Sequence, residues 1–195
     1  MPPLRHFAKT RASIKLHLMR WIAVLLLIVS AAAQEPVPSK FDAQAYVARQ
    51  FGIAFQAVAE IAPMFGDFDG DGVQDVAIVA TNKNPMSDAG GSAYKVSDPY
   101  NSYFGFGDPK ITIQFGAKDP GASRHILIAH SWQQETPKAK FVIVNLPFKT
   151  IELSHFTHKK RTSDALIAHE VGGLSSAVFW DGKKKYRWEP LMYDE

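Results

Sequence analysis

The chain has 195 residues, no cysteine, and 22 basic against 19 acidic side chains. Five of the basic residues and none of the acidic ones fall in residues 1–33, so residues 34–195 carry 17 basic and 19 acidic side chains, a net charge of −2. This balance excludes overall charge as an argument for nucleic-acid binding, and we predict no nucleic-acid partner. The lack of cysteine excludes disulfide staples. Residues 34–195 suffice for a single core of ordinary size.

The first 33 residues predict an export signal. A basic segment precedes the apolar run 21–29, and the tripeptide 31–33 offers an Ala-x-Ala cleavage site before Gln34. The apolar run is shorter than the roughly 20 residues that span a bilayer. Either Met1 or Met19 fits as the translation start. We therefore expect a periplasmic or secreted protein, not membrane-spanning after signal cleavage, with residues 34–40 as a linker and 41–195 as one β domain.

The predicted elements begin with a helix near residues 40–51, with Ser39 at its start in an approximate capping box. Residues 52–64 fit either a continued helix or a strand that leads into the next segment. The run 75–80 predicts a buried strand because β-branched residues dominate it. Residues 81–109 are rich in Asn, Ser, Gly, Asp and Pro yet contain several aromatics, which fits either a flexible excursion with local aromatic packing or a lid over a ligand.

Short strands follow along the rest of the chain, at 110–115, 124–130, 140–145, 164–169, 177–180 and 186–188. The dipeptide Asp181-Gly182 predicts a β-hairpin with a type I′ turn. This density of strands indicates a mainly β fold of antiparallel sheets with one N-terminal helix. The similar runs VAIVA, ILIAH and ALIAH further suggest a partial or degenerate array of propeller blades.

The most specific motif is GDFDGDGVQDVAIVA at residues 66–80, where aspartates occupy positions 1, 3, 5 and 9 of a glycine-containing loop. Carboxylates this close repel one another strongly unless a cation lies between them. Hard oxygen ligands in a flexible ring are what calcium prefers. We predict a calcium site whose side-chain ligands are Asp67, Asp69, Asp71 and Asp75, joined by the carbonyl oxygen of Val73. The alternative is an Asp/Gly-rich turn without a metal, although such a turn needs one or two of these residues and not four.

This loop differs from an EF-hand because position 12, where that motif requires a bidentate Glu, is Ile78 within a predicted strand. The pattern D-x-D-x-D-G-x-x-D before an apolar strand, with Phe65-Gly66 ahead of it, resembles the FG-GAP/VCBS repeats known from integrin alpha chains and exported bacterial proteins. The resemblance implies the same five ligand residues and a structural role for calcium, holding the turn before the strand.

Histidine pairs provide weaker candidates. His155 and His158 lie three residues apart. On a helix this spacing would let both side chains bind one metal ion, although the segment fits an exposed loop or strand end better. His130 and His169 end two similar strands, so they are either neighbours in one sheet or ordinary polar strand ends, and we favour the second interpretation. The C-terminal hairpin combines aromatic and basic residues that suit a sugar or an acidic polymer, but its alternation favours aromatics in the core and lysines in solvent.

The leading functional hypothesis is an exported, calcium-binding FG-GAP/VCBS-like protein without enzymatic activity, acting in binding or surface interaction with a protein or glycan ligand. The alternative is an exported hydrolase or carbohydrate-processing enzyme in which loop 81–109 closes over carboxylates such as Asp108 or Glu152. A third hypothesis is an inhibitor or partner-binding protein that uses the same loop as an insert.

Overall fold

The computed structural model describes residues 41–86, 94–105, 124–170 and 173–191. The chain separates into two units, Met1–Pro36 and Val37–Glu195, and all described residues belong to the second. The predicted signal peptide, linker and strand 110–115 lie outside the described residues. No helix in the described part of the chain is long and apolar enough to cross a membrane.

The described residues form a mainly β structure, as predicted, with two sheets and two helices. The first sheet has the order β1-β3-β5-β6-β4, with β2 also pairing with β3, and the second has the order β10-β9-β8-β7. All pairs are antiparallel except β4 with β6. The elements are α1 (Ala43–Gln50), β1 (Gln56–Ala57), β2 (Met64–Gly66), β3 (Asp75–Thr81), β4 (Lys95–Ser97), α2 (Pro99–Tyr103), β5 (Arg124–His130), β6 (Ala139–Ile143), β7 (Thr150–His158), β8 (Arg161–His169), β9 (Ser175–Trp180) and β10 (Tyr186–Leu191).

Strand β3 is buried on both faces, as its sequence predicted. Ala77 and Val79 face the second sheet and join the main core between the sheets. Val76 and Ile78 face the opposite way, into a second core that includes α1 residues such as Val47. With both faces covered, β3 needs apolar residues at every position, which is why it reads as a continuous apolar run.

The N-terminal helix is confirmed, but its cap is Asp42, not Ser39. The Asp42 carboxylate accepts a hydrogen bond from the backbone N–H of Ala45 at 2.9 Å. Aspartate caps a helix as well as serine does, because its oxygen satisfies a backbone donor that the first turn leaves unpaired. The helix therefore starts at Ala43, later than expected.

The described part of segment 81–109 is more ordered than the sequence predicted. Strand β4 adds a parallel partner to β6, and Tyr94 is buried against Phe51 and Phe55. In and after α2, the rings of Tyr103 and Phe104 lie 4.9 Å and 5.8 Å from that of Trp188, on β10. These aromatics pack locally, which is one of the two arrangements predicted for this segment, the other being a lid over a ligand.

Strand β7 is the main element that sequence reasoning missed, since the sequence of residues 152–161 fits an exposed loop or a strand end. It pairs with β8 through nine residues and is joined to it by Lys159-Lys160, whose φ angles of 49° and 68° are both positive, as a type I′ turn requires. Edge position explains the miss: β7 borders the second sheet, so half of its side chains stay polar and exposed.

The C-terminal hairpin is confirmed, but its predicted type I′ turn is wrong. Trp180 pairs with Tyr186, which leaves a five-residue loop in which Gly182 has φ 76°. The Asp181 carboxylate accepts hydrogen bonds from successive backbone N–H groups of this loop, at 2.7 Å from Lys183. The predicted alternation holds for β10, where Tyr186 is buried and Arg187 is exposed. It is wrong for Phe179, which is buried but shares the face of Arg187, away from Tyr186.

The three similar apolar runs do not occupy equivalent places. Strands β3 and β5 pair directly in the first sheet, whereas β8 lies in the second. The second sheet runs as a four-stranded antiparallel meander in sequence order, the arrangement of strands in a propeller blade. Similarity among the runs reflects a shared environment, because each strand is covered by apolar layers.

Candidate metal site

The acidic loop, which we define as residues 67–75, connects β2 to β3. Gly66 pairs with Asp75, so the loop is the turn of a hairpin at the margin of the first sheet. Phe68 is fully buried in the core between the sheets and anchors the loop there. Gly70 and Gly72 have φ angles of 68° and 84°, which let the backbone curl around its own carboxylates.

The carboxylates organise the loop by accepting hydrogen bonds from its own backbone. Asp67 accepts from the N–H groups of Asp71 (3.0 Å) and Gly72 (2.9 Å), one on each oxygen. Asp69 Oδ1 accepts a further bond from the Asp71 N–H at 3.2 Å, and Asp71 Oδ1 accepts one from the Val73 N–H at 2.9 Å. Each carboxylate is therefore held in place by the loop that carries it.

Three of the predicted ligands converge. Asp67, Asp69 and Asp71 each present a carboxylate oxygen, and these oxygens lie within 4.8 Å of one another. Asp69 is buried, Asp67 is half-buried and Asp71 is exposed, so the group opens to solvent on one side. The three carboxylates could hold a metal ion, and an all-oxygen set of this kind suits a hard cation.

A lysine from elsewhere in the chain reaches the same carboxylates. Lys138, in the connection between β5 and β6, places its Nζ 2.8 Å from Asp69 Oδ2 and 2.5 Å from Asp71 Oδ2. These bonds raise the pKa of Lys138. Burial pushes the pKa of Asp71 upward, but its bond to Lys138 and its other contacts hold it below the ordinary value. The ammonium thus neutralises part of the repulsion inside the loop.

Asp75 lies beneath the loop and joins it to the end of β5. Its Oδ2 accepts hydrogen bonds from the N–H groups of Phe68 (2.9 Å) and Asp69 (3.3 Å), and its Oδ1 accepts one from the Ser131 N–H (2.8 Å). Burial and the nearby charge of Asp69 raise the pKa of Asp75 to about 7, against the opposing effect of these hydrogen bonds. Asp75 therefore faces inward, away from the exposed side at Asp71.

A second group of potential metal ligands is fully buried. Asp69, Asp75 and His130 present ligand atoms within 4.8 Å of one another. His130 Nδ1 lies 3.3 Å from Asp69 Oδ2, and its Nε2 lies 2.7 Å from the Tyr186 hydroxyl oxygen. Burial lowers the pKa of His130, with the charge of Asp69 opposing the shift. Asp69 belongs to both groups and so connects the loop to the core.

The second sheet holds the loop from the other side. The Asp164 carboxylate accepts a hydrogen bond from the Asp67 N–H at 2.7 Å, and the Asp164 N–H donates to the Asp67 carbonyl at 2.9 Å. A Cβ on Gly66 would lie 2.5 Å from Asp164 Oδ2, which explains why glycine precedes the loop. Arg161 also donates to the carbonyl oxygen of Asp69.

The structure thus brings together Asp67, Asp69 and Asp71, and it places Asp75 with Asp69 and His130. Val73 lies in the same loop, where its N–H is bonded to Asp71, and the ligand role of its carbonyl oxygen stays a prediction. Sequence reasoning missed four residues around the loop: Lys138, His130 as a neighbour of Asp69, and Arg161 and Asp164 on β8. All four are far from the loop along the chain, so no local pattern could indicate them.

The other histidine candidates do not form a metal site within the described residues. His155 and His158 lie on a strand, where a separation of three puts side chains on opposite faces. His155 contacts Asp164, and His158 packs on Phe179. His169 bonds to Ser175 in the second sheet, whereas His130 lies on β5 of the first sheet, so the two are not neighbours in one sheet.

Of the two carboxylates named for the enzyme alternative, Glu152 is the one among the described residues. Asp108 lies outside the described residues. The Glu152 side chain is 64% exposed and lies 3.4 Å from His169.

Comparison of the chain with family models, curated proteins and solved structures gives no match.

Proposed function

We propose that this protein is an exported calcium-binding module of the FG-GAP/VCBS type, which acts in surface interaction and not in catalysis. The observation that supports this proposal is the convergence of three carboxylates, from Asp67, Asp69 and Asp71, on one loop. Calcium needs six to eight oxygen ligands, and the loop offers carboxylate oxygens with backbone carbonyls and water to complete the shell.

The role we propose for calcium is structural. The acidic loop contacts both sheets, through Asp75 to the end of β5 and through Asp67 to Asp164 on β8. A cation bound there would stiffen the junction between the sheets without taking part in a reaction. Extracellular modules bind calcium weakly, with dissociation constants on the order of 10⁻⁴–10⁻³ M, and a ligand that binds only the folded state raises its stability.

Lys138 makes the calcium proposal specific to this chain. Its ammonium group is bonded to the same Asp69 and Asp71 oxygens that calcium would use. The lysine supports the loop when calcium is absent and competes with calcium when it is present. We therefore propose two states of the loop, one neutralised by Lys138 and one neutralised by the metal ion.

The first test is calcium-dependent melting of the wild-type protein, with Asp71→Ala as the variant, because alanine removes the ligand oxygens that asparagine would partly retain. We expect the melting temperature to be higher in millimolar calcium than in EDTA, and this shift to be lost in Asp71→Ala. Glu152→Ala is the matched control, because it removes an equally negative but exposed side chain outside the loop. No shift in the wild type, or an unchanged shift in Asp71→Ala, would overturn the metal proposal.

The second test is Lys138→Met. We expect lower stability in EDTA, because the carboxylates of Asp69 and Asp71 lose their counter-charge, and about ten-fold tighter calcium binding by calorimetry, because a competitor is removed. Lys149→Met is the control, since Lys149 is exposed at the start of β7. Weaker calcium binding in Lys138→Met would show that the lysine and the ion do not share a site.

Export is tested separately. The proposal predicts that the full chain, produced in a Gram-negative host, is recovered from the periplasm or medium with its mature end at Gln34. Amino-terminal sequencing measures this directly. Recovery of the uncleaved chain from the cytoplasm would refute the export part of the proposal and leave the metal site untouched.

A further inference from the structure

A cavity of about 250 Å³ opens on the second sheet, at the end that carries the β7–β8 and β9–β10 turns. We call it the basic pocket. The register of the strands places Phe156, Ser163, Phe179 and Arg187 on one face of this sheet, turned away from the first sheet. All four strands contribute to the lining, so the pocket is a property of the assembled sheet.

The rim of the basic pocket is strongly cationic. Four of its lining residues are Lys or Arg, and one is acidic, Asp181. Asp181 is already engaged, because one oxygen accepts backbone N–H groups of its own turn and the other lies 3.4 Å from Arg187 Nε. Residues 34–195 have a net charge of −2, so this local excess of positive charge is not a general property of the surface.

The floor of the basic pocket is aromatic. Phe179 is buried, and the rings of Phe156 and His158 each lie 4.8 Å from its ring at shallow angles of 38° and 34°. Phe156 and His158 are themselves half-buried, so they retain surface toward the cavity. The rings are tilted to one another, and His158 Nδ1 also lies 3.6 Å from Glu189 Oε2. An aromatic floor below a charged rim suits a ligand that is apolar on one face and charged at its edge.

Arg161 holds the two turns of the basic pocket together. A Cβ on Gly182 would lie 2.5 Å from Arg161 Nη1, so the guanidinium rests on the backbone of the β9–β10 turn. The same side chain donates to the Asp69 carbonyl in the acidic loop. The pocket is therefore preformed, which lowers the entropy that a ligand must lose on binding.

We propose that the basic pocket binds an acidic sugar residue of a polysaccharide. The cavity is of the size of one six-membered ring, the floor matches the apolar face of such a ring, and the rim matches a carboxylate or sulfate at its edge. Nucleic acid fits less well, because it calls for a basic surface that extends over many phosphates on a positively charged domain. This site goes beyond the proposed calcium function and does not require the metal ion.

The direct test is calorimetry of the full chain with oligosaccharides that separate charge from stacking. A chondroitin sulfate hexasaccharide carries both carboxylate and sulfate, a hyaluronan hexasaccharide carries carboxylate, and cellohexaose is neutral. We expect binding of one or both acidic sugars, their ratio identifying the charged group, and none of cellohexaose. Equal binding of cellohexaose, of inorganic sulfate, or of a short oligodeoxythymidylate would overturn the proposal.

The matched variants carry the same charge change at different places. Lys159→Gln with Lys183→Gln removes two rim charges, whereas Lys83→Gln with Lys149→Gln removes two exposed lysines distant from the pocket, just after β3 and at the start of β7. We expect about ten-fold weaker binding of the acidic sugar in the first pair and little change in the second. Equal weakening in both pairs would indicate general charge attraction and overturn the site.

Measurement in EDTA and in calcium separates this proposal from the calcium function. We expect acidic-sugar binding in both conditions, because the lining residues lie outside the acidic loop. Binding that persists in EDTA supports the pocket even if the melting experiments disprove the metal site. Binding confined to calcium, and lost in Asp71→Ala, would place the sugar on the metal ion and overturn the pocket.

Discussion

The acidic loop and the basic pocket are both built at hairpin turns, and the side chain of Arg161 touches both. They differ in how they are assembled. The acidic loop is made of nine consecutive residues that bond to one another and extend Phe68 into the core. The basic pocket is made of residues from four strands and lies on an outer face. A site of the first kind is local and buried at its base, whereas one of the second exists only once the sheet has formed.

The largest expected effect comes from the anchor of the acidic loop. Phe68→Ala should lower the free energy of unfolding by about 3–5 kcal/mol, since a fully buried aromatic leaves a cavity. Phe156→Ala in the pocket should cost about 1–2 kcal/mol, because that ring is only half-buried. Urea denaturation measures both. Equal losses of unfolding free energy in the two variants would contradict the distinction between a loop anchored in the core and a pocket on the surface.

The contact between the loop and the second sheet should give the next largest effect. Gly66→Ala should lower stability by about 1–3 kcal/mol, because the new Cβ would displace Asp164 and break its bond to the Asp67 N–H. Asp164→Ala should cost a similar amount. Because both changes remove the same contact, the double variant should lose clearly less than the sum. Additive losses in urea denaturation would show that the two residues are not coupled.

The link through Arg161 is tested by a pair of glycines. Gly182→Ala and Gly173→Ala should each cost about 1 kcal/mol, since both glycines have positive φ, 76° and 83°. Only at Gly182 does the new Cβ meet Arg161, while no atom of the described residues beyond the chain neighbours lies within 4 Å of a Cβ at Gly173. Calcium affinity should therefore change in Gly182→Ala and not in Gly173→Ala. Equal affinities in the two variants would separate the pocket from the loop.

The smallest effect concerns a buried group outside both sites. His125, at the far end of the first sheet, is buried with its Nε2 3.0 Å from the Asn82 carbonyl oxygen, and burial lowers its pKa below 6.5. The unfolded chain then binds a proton at His125 that the folded state excludes. The folded protein therefore loses stability through this group as pH falls below about 6.5. His125→Gln should reduce the slope of stability against pH between 7 and 5 by up to one proton. An unchanged slope in urea titrations in EDTA would remove His125 from the pH response.

Sequence reasoning worked best where neighbouring residues create the environment. Strand β3 was predicted because a strand covered on both faces must be apolar throughout. Sequence reasoning was less accurate for β7, because its edge position leaves many of its residues polar. It was also less accurate for the β9–β10 turn, where hydrogen bonds to the Asp181 carboxylate stabilise a loop longer than a type I′ turn. The helix cap was misplaced because serine and aspartate both cap helices, so residue type alone does not decide between Ser39 and Asp42.

By itself the sequence determined the mainly β class and the convergence of Asp67, Asp69 and Asp71, because short spacing and glycine turns constrain carboxylates that are adjacent in the chain. Tertiary structure decided what surrounds them. It brought Lys138 to Asp69 and Asp71, placed Asp75 beside His130, and set Asp164 against Gly66. The basic pocket arose in the same way. Coulomb attraction and close packing act through space, so contacts between residues far apart in the chain appear only when the sheets pack.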